Sequence, residues 1–129
     1  MVADFADRTH TADKMIASDI HGSAFYCEQM IEAYKREGAD KLLLLGDILY
    51  HGPRNDLPEG YAPKEVIAML NPMKKELLCV RGNCDTEVDQ MVLEFPIRAD
   101  FQTLQLGAGR RVIMTHGHLN EYQMGLCPG

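Results

Sequence analysis

The sequence predicts an α/β domain in which a parallel sheet is joined by a second, antiparallel one. Three observations carry this. Residues 14–18, 41–45, 76–80 and 111–115 are short runs dominated by apolar residues, of strand length. The first three are separated by stretches of helical periodicity, an order that implies β-α-β crossovers. After Pro96 the period changes: Phe101, Thr103 and Gln105 alternate against Gln102, Leu104 and Leu106. A Gly107-Ala108-Gly109 loop then returns the chain as a β-hairpin.

Each element has a local reason. Residues 1–13 carry Asp4, Asp7, Arg8 and Asp13, lack periodicity, and read as a disordered leader before a domain over 14–129. They have no apolar core, so they are not a signal peptide, and His10 within them is expected to take no part in a site. Residues 24–37 place Phe25, Met30, Ile31, Ala33 and Tyr34 at helical spacing, and Gly38 is suited to end that helix. Residues 41–45 are apolar from Leu42 on, as a central parallel strand is. Residues 48–62 form a long loop broken by Gly52, Pro53, Pro58 and Gly60; loops of this length are often functional. Pro63 suits the first position of a helix whose buried stripe is Val66, Ile67, Met69 and Leu70. Residues 76–80 are the third strand, and residues 85–93 read as a helical turn or short helix.

Composition narrows the function. A chain of 129 residues suggests one domain, and 46% apolar content is enough for a core. A net charge of −6 argues against nonspecific binding to nucleic acid or an anionic membrane. It does not exclude phosphate substrates, because bound divalent cations reverse the local field. Cys27, Cys79, Cys84 and Cys127 show no Cys-x-x-Cys spacing, which excludes a zinc ribbon; Cys27 and Cys79 read as buried free thiols. The longest aliphatic run, Leu42 to Leu45, is far too short to span a bilayer. A cytoplasmic protein is expected. The absence of a Gly-x-Gly-x-x-Gly turn or a phosphate-binding Lys loop disfavours a plain nucleotide-binding domain.

The chemistry-bearing residues sit at strand ends. Asp19-Ile20-His21, Gly46-Asp47, Gly82-Asn83 and His116 each follow one of the apolar runs. Ligand sites of open α/β sheets lie outside the carboxyl ends of the strands. Two carboxylates, one amide and two imidazoles meeting there would hold divalent metal ions, and one Asp between two cations can bridge them. Plainer readings stand beside these. Asp19 or Asp85 could cap a following helix, Asp47 could close an Asx turn, and Asn83 could be a turn residue. His51 and Arg54 could belong to a solvated loop.

Read together, Asp19-Ile20-His21, Gly46-Asp47, Gly82-Asn83-Cys84-Asp85 and Thr115-His116-Gly117-His118 resemble the motif series of the calcineurin-like metallophosphoesterases. In that family the blocks run Asp-x-His, Gly-Asp, Gly-Asn-His-Asp, a His, and Gly-His-x-His. The loop from His51 to Pro63 and the stretch from Arg81 to Asp85 resemble those of its small bacterial phosphodiesterases. The resemblance covers about residues 14–121 and implies metallophosphoesterase-like stacked β-sheets flanked by helices.

It also implies roles. Asp19, His21 and Asp47 would hold one ion; Asp47, Asn83 and His116 would hold the other, with Asp47 bridging at a metal separation of roughly 3.5–4 Å. A bridging hydroxide would then attack phosphorus, making Asp47, Asn83 and His116 catalytic. His51, Arg54 and His118 would meet the substrate phosphate. The ions would be Mn²⁺ first, with Zn²⁺, Fe²⁺ or Ni²⁺ also suited. Asp85 would orient a neighbouring loop or cap the next helix. The family's leaving-group His is Cys84 here, and a thiol is a poorer proton donor near neutral pH, which favours diesters over demanding monoesters. The Gly-His-x-His block does not occur before Gly129, so an incomplete domain is expected, with one protein ligand fewer per ion and an open sheet edge suited to self-association. A phosphodiesterase is therefore expected, against the alternatives of a non-catalytic interaction module on the same fold or an inactive fragment.

Overall fold

Alternation along one apolar strand decides how the molecule is layered. In the computed structural model, which describes residues 2–6, 13–106 and 108–119, the central strand β3 (Lys41–Leu44) turns Leu42 and Leu44 to one face and Leu43 to the other. All three are buried. The strand lies between β2 (Asp13–Ala17) and β4 (Leu77–Cys79), parallel to both, with Ala17, Leu44 and Cys79 in register. An antiparallel edge strand, β1 (Val2–Ala6), completes the order β1-β2-β3-β4.

On the Leu42 and Leu44 face lie the helices α1 (Ala24–Glu37) and α2 (Pro63–Leu70). Cys27, Met30, Tyr34, Val66 and Leu70 meet Met15, Ala17, Leu77 and Cys79 in the main core. On the Leu43 face, Val80 and Met114 close a smaller core that includes Leu104 at its margin. Met114 and Leu104 come from β6 (Arg111–Thr115) and β5 (Phe101–Gln105), an antiparallel pair. The hairpin is thereby stacked on the first sheet, and the layers are helices, sheet, small sheet.

Caps fix the helix ends. The Ser23 hydroxyl accepts the N–H of Tyr26 at 3.1 Å, so Ser23, not Asp19, caps α1 and Asp19 is left for other work. Gly38 ends α1 at φ +67°, and Pro63 opens α2. A 3-10 turn (Asn71–Met73) follows α2. The short helix α3 (Glu87–Val92) begins with a capping box between Thr86 and Asp89. Asp85 is therefore not its cap.

One expectation is overturned. The stretch before Lys14 reads as structureless, yet Val2–Ala6 pairs along its length with β2. The other edge of β2 offers unpaired backbone groups, and main-chain pairing satisfies them whatever the side chains. Residues 7–12, with His10, lie outside the described residues, as does Cys127. Among the described residues no helix is long and apolar enough to cross a membrane.

Candidate metal centre

The carboxyl ends of β2 and β3 are zipped together by their own backbones. The N–H of Asp19 donates to the Gly46 carbonyl at 3.1 Å, and that of His21 to the Asp47 carbonyl at 2.9 Å. Asp19, His21 and Asp47 all have left-handed backbones, at φ 62°, 50° and 57°. Asp and His tolerate that region better than most residues, and such conformations concentrate at functional sites. Gly46 lets the third loop approach: a Cβ there would lie 2.3 Å from the Gly82 nitrogen. Backbone meets backbone, and Asn83 is brought beside Asp47.

Asp85 locks this junction. Its carboxylate is buried and accepts three backbone N–H groups: Asp47 at 2.7 Å, Gly82 at 2.7 Å and Ile48 at 3.0 Å. The Asp47 carboxylate returns the tie, its Oδ1 accepting the Cys84 N–H at 2.8 Å. Its Oδ2 remains for the site.

Both imidazoles are aimed by a main-chain carbonyl. His21 Nδ1 lies 2.8 Å from the Tyr50 oxygen and His116 Nδ1 lies 2.7 Å from the Leu45 oxygen. A carbonyl only accepts, so each Nδ1 carries a hydrogen, and Nε2 is the nitrogen left to face the cluster, as a lone pair whenever the ring is neutral. Both Nε2 atoms face oxygen. His21 Nε2 is 3.1 Å from Asp19 Oδ1 and 3.6 Å from Asp47 Oδ2. His116 Nε2 is 2.9 Å from Asn83 Oδ1 and 3.3 Å from Asp47 Oδ2. Acceptor opposite acceptor is repulsive unless a proton or a cation lies between them. The donor set of imidazole, carboxylate and amide oxygen fits a divalent ion.

The electrostatics agree with that fit. Burial pushes the Asp47 carboxyl above its ordinary value and Asp85 adds to this, although the Cys84 N–H and His116 oppose it. At Asp19 burial also acts upward, but the Ser18 hydroxyl and the imidazoles of His116 and His21 outweigh it and hold the group low. Burial, then the carboxylates of Asp47, Asp85 and Asp19, push the Cys84 thiol up. A cation beside Asp47 offsets the cost of its buried charge.

Asp19, His21, Asp47, Asn83 and His116 thus come together as a single cluster. Two sets of donor atoms lie within 4.8 Å of one another: Asp19, Asp47 and His116, and His21, Asp47 and Cys84. His118 stacks edge-on to His116, ring centroids 5.3 Å apart, on the exposed side of the cluster. Burial, His116 and Arg81 lower its pKa. His51 stands between the rings of Tyr50 and Tyr61, at 5.0 and 5.3 Å, outside both donor sets. Its buried Nδ1 has no hydrogen-bond partner among the described residues. Arg54 is exposed on the same loop. Sequence reading missed Cys84 as a member of a donor set, and the Tyr50 and Leu45 carbonyls that aim the imidazoles. Only the position of Cys84 directly after Asn83 hinted at the first; backbone carbonyls leave no mark in a sequence. A cavity of about 710 Å³ opens beside Asp19, walled by α1 residues including Tyr26, Gln29 and Arg36.

A layered fold with paired carboxylates and carbonyl-aimed imidazoles at its strand ends is that of a metallophosphoesterase. The model of the calcineurin-like phosphoesterase superfamily domain matches residues 14–127, and the chain belongs to that superfamily. It is 53% identical over 105 residues to Phosphodiesterase YfcE from three Escherichia coli strains, an alignment covering 81% of this chain and 56% of each relative. A solved structure described as that of Yfce, a phosphoesterase from E. coli, superposes with a TM-score of 0.79 at 52% identity, covering 81% of this chain and 57% of that one. The chain therefore matches little more than half the length of these relatives.

Proposed function

We propose that this chain hydrolyses phosphodiester bonds using two divalent ions, Mn²⁺ by preference, held by Asp19, His21, Asp47, Asn83 and His116. The observation that carries this reading is the convergence of two imidazole Nε2 atoms on Asp47 Oδ2, at 3.6 and 3.3 Å. When bound, such ions supply Lewis-acid activation of the phosphoryl group and a hydroxide nucleophile near neutral pH.

The chain's own residues do the rest. Asp47 stands between the imidazoles, its buried carboxylate fixed by Cys84 and its backbone by Asp85. Asp19, more exposed, completes one side, and the Asn83 amide oxygen completes the other. His118 lies at the open side to donate to a phosphate oxygen. Arg54 and His51 on the long loop supply the remaining contacts, and a guanidinium suits two phosphate oxygens at once. Cys84 occupies the leaving-group side with a thiol whose pKa is raised, so leaving groups that need no protonation are favoured. The cavity beside Asp19 offers room for one ester arm. Among the described residues Cys27, Cys79 and Cys84 are free thiols, which accords with a reducing compartment such as the cytoplasm. The exposed Val112 and Ile113 on β6 favour self-association through the hairpin.

The test is Mn²⁺-dependent hydrolysis of an activated aryl phosphodiester by the purified chain, with Asp47→Ala as control. Turnover abolished by Asp47→Ala supports the reading. A folded, Mn²⁺-loaded chain without turnover overturns it for this chain and favours a non-catalytic role.

A further inference from the structure

A second cavity, of about 400 Å³, lies between the long loop and α3, outside both donor sets. Leu49, Tyr50, Tyr61, Pro63 and Val88 give it apolar walls. Its polar lining residues, Thr86 and Asp89, are spent on each other in the capping box of α3. Each backbone N–H donates to the other's side chain, at 3.1 and 3.3 Å. The apolar walls are uncovered, with Val88 67% and Tyr50 40% exposed. A cavity of this size with few free polar groups suits a small apolar ligand group.

Three consecutive residues join it to the metal centre. Tyr50 accepts from His21 through its carbonyl, at 2.8 Å, and lends its side chain to the cavity wall. The His51 ring stands against those of Tyr50 and Tyr61, and its buried Nδ1 has no hydrogen-bond partner among the described residues. Gly52 lies against Cys84, since a Cβ there would stand 3.2 Å from Sγ. The order outward from Cys84 is therefore Gly52, His51 and the two tyrosines.

We infer that this slot seats an aromatic leaving arm, so that the preferred substrates are aryl phosphodiesters. The inference rests on the function proposed above and names its substrate class. The leaving oxygen departs on the Cys84 side, and the slot continues that side past His51. An apolar cavity of roughly 150 Å³ holds benzene, so the larger volume here admits a substituted ring. Tyr50 and Tyr61 offer it edge-on or offset contact. An ester oxygen beside His51 pairs the nitrogen now left unsatisfied. The chemistry matches the shape. Hydroxide forms a new bond to phosphorus, and the bond from phosphorus to the aryl oxygen breaks. Its electron pair leaves on the phenolate, which takes a proton from solvent, and a phosphomonoester remains. A phenol ionises near pH 10, by about the tyrosine value, far below an aliphatic alcohol. Its anion therefore departs without the acid that a thiol supplies poorly. The cavity beside Asp19 is left for the retained arm.

Val88→Glu tests this, because Val88 is exposed in the first turn of α3, where a carboxylate is tolerated and the fold is kept. Binding comes first, by calorimetric titration of the whole Mn²⁺-loaded chain with benzylphosphonate and with ethylphosphonate. In both, carbon replaces the ester oxygen, so no turnover is needed. Benzylphosphonate should bind about tenfold tighter, and Val88→Glu should remove that advantage while leaving ethylphosphonate unchanged. Equal binding of the two, or an advantage that survives Val88→Glu, overturns the inference even in a chain that hydrolyses diesters. Kinetics come second, with methyl phenyl phosphate against a methyl fluoroalkyl phosphate of matched leaving-group acidity. Val88→Glu should raise KM about tenfold for the phenyl ester alone, with kcat little changed. Equal losses on the two esters overturn the inference and leave the proposed function standing. Ring-dependent binding without hydrolysis of either ester overturns the proposed function, and with it the leaving-arm role of the slot.

Discussion

Asp85 holds the backbone of Asp47 with one oxygen, Oδ2, at 2.7 Å, and the same oxygen takes the N–H of Gly82 at 2.7 Å. A single buried carboxylate therefore fastens the loop of Asp47 to the loop of Asn83. It touches no candidate metal position through its own side chain and acts by placing those that do.

Replacing Asp85 by Ala leaves three buried N–H groups without an acceptor, each costing about 1–3 kcal/mol. Asp85→Asn keeps the size and one oxygen and should be milder. Both should lower Mn²⁺ affinity by about 10–100-fold, and calorimetric titration of the folded Asn variant decides it. Unchanged affinity in that variant would remove Asp85 from the placing role.

Asp47 should show its burial in the metal-free protein. Its folded pKa lies above the ordinary 3.8, so the folded state holds the proton more tightly than the unfolded one. Stability from this group is present below 3.8 and is lost as pH rises through the folded value. Asp19 acts in the opposite direction, its lowered pKa adding stability above 3.8 that is lost as pH falls through its folded value. Asp47→Asn should abolish the first loss. Its melting temperature in chelator at pH 7 should equal or exceed that of the unaltered chain, while the rise on adding Mn²⁺ disappears. A lower metal-free melting temperature together with an intact Mn²⁺ rise would contradict both halves.

The approach of Gly46 to Gly82 leaves no room for a methyl group. Gly46→Ala would put Cβ 2.3 Å from the Gly82 nitrogen at a backbone φ of +100°. Left-handed strain of about 1–2 kcal/mol adds to a clash with rigid backbone, so a total loss of about 3 kcal/mol or more is expected. Urea unfolding of Gly46→Ala beside Gly38→Ala separates the two terms, since Gly38 is also left-handed but has open space around it.

Tyr34 joins α1 to the start of β4. Its hydroxyl donates to Glu76 Oε1 at 2.9 Å. Burial first, then Glu76 and Asp40, raises its pKa above the ordinary 10.0. The neutral hydroxyl is favoured in the folded state, so its contribution is complete below pH 10 and is lost as pH rises through the folded value. Tyr34→Phe should cost about 1 kcal/mol at neutral pH and flatten the alkaline limb of the stability curve. An equal alkaline slope in the two proteins would assign that limb to other groups.

Local rules made much of this fold legible. Gly38 and Pro63 mark a helix end and a helix start where they were expected, and the hairpin pairs Phe101 with Thr115 as its alternation requires. Periodicity could also show that Leu42 to Leu44 is buried on both faces. It could not show what covers each face, because that depends on β6 returning Met114 to Leu43 across the sheet. The strand Val2–Ala6 was illegible for a related reason: edge pairing uses backbone groups that every residue carries.

The sequence by itself determined which atoms are available: the carboxylates of Asp19 and Asp47, the amide of Asn83, the imidazoles of His21 and His116, and their places at the ends of strands. Those are local matters of residue type, turn residues and apolar period. The tertiary structure alone decided which nitrogen of each ring faces the cluster, through the carbonyls of Tyr50 and Leu45, respectively 29 and 71 residues away in the chain. It alone assigned Asp85 to three amides in place of a helix cap, and it set the Cys84 sulfur against His21 and Asp47. The reason is physical. A hydrogen bond to a backbone group constrains geometry to tenths of an ångström without constraining the identity of the residue that supplies it.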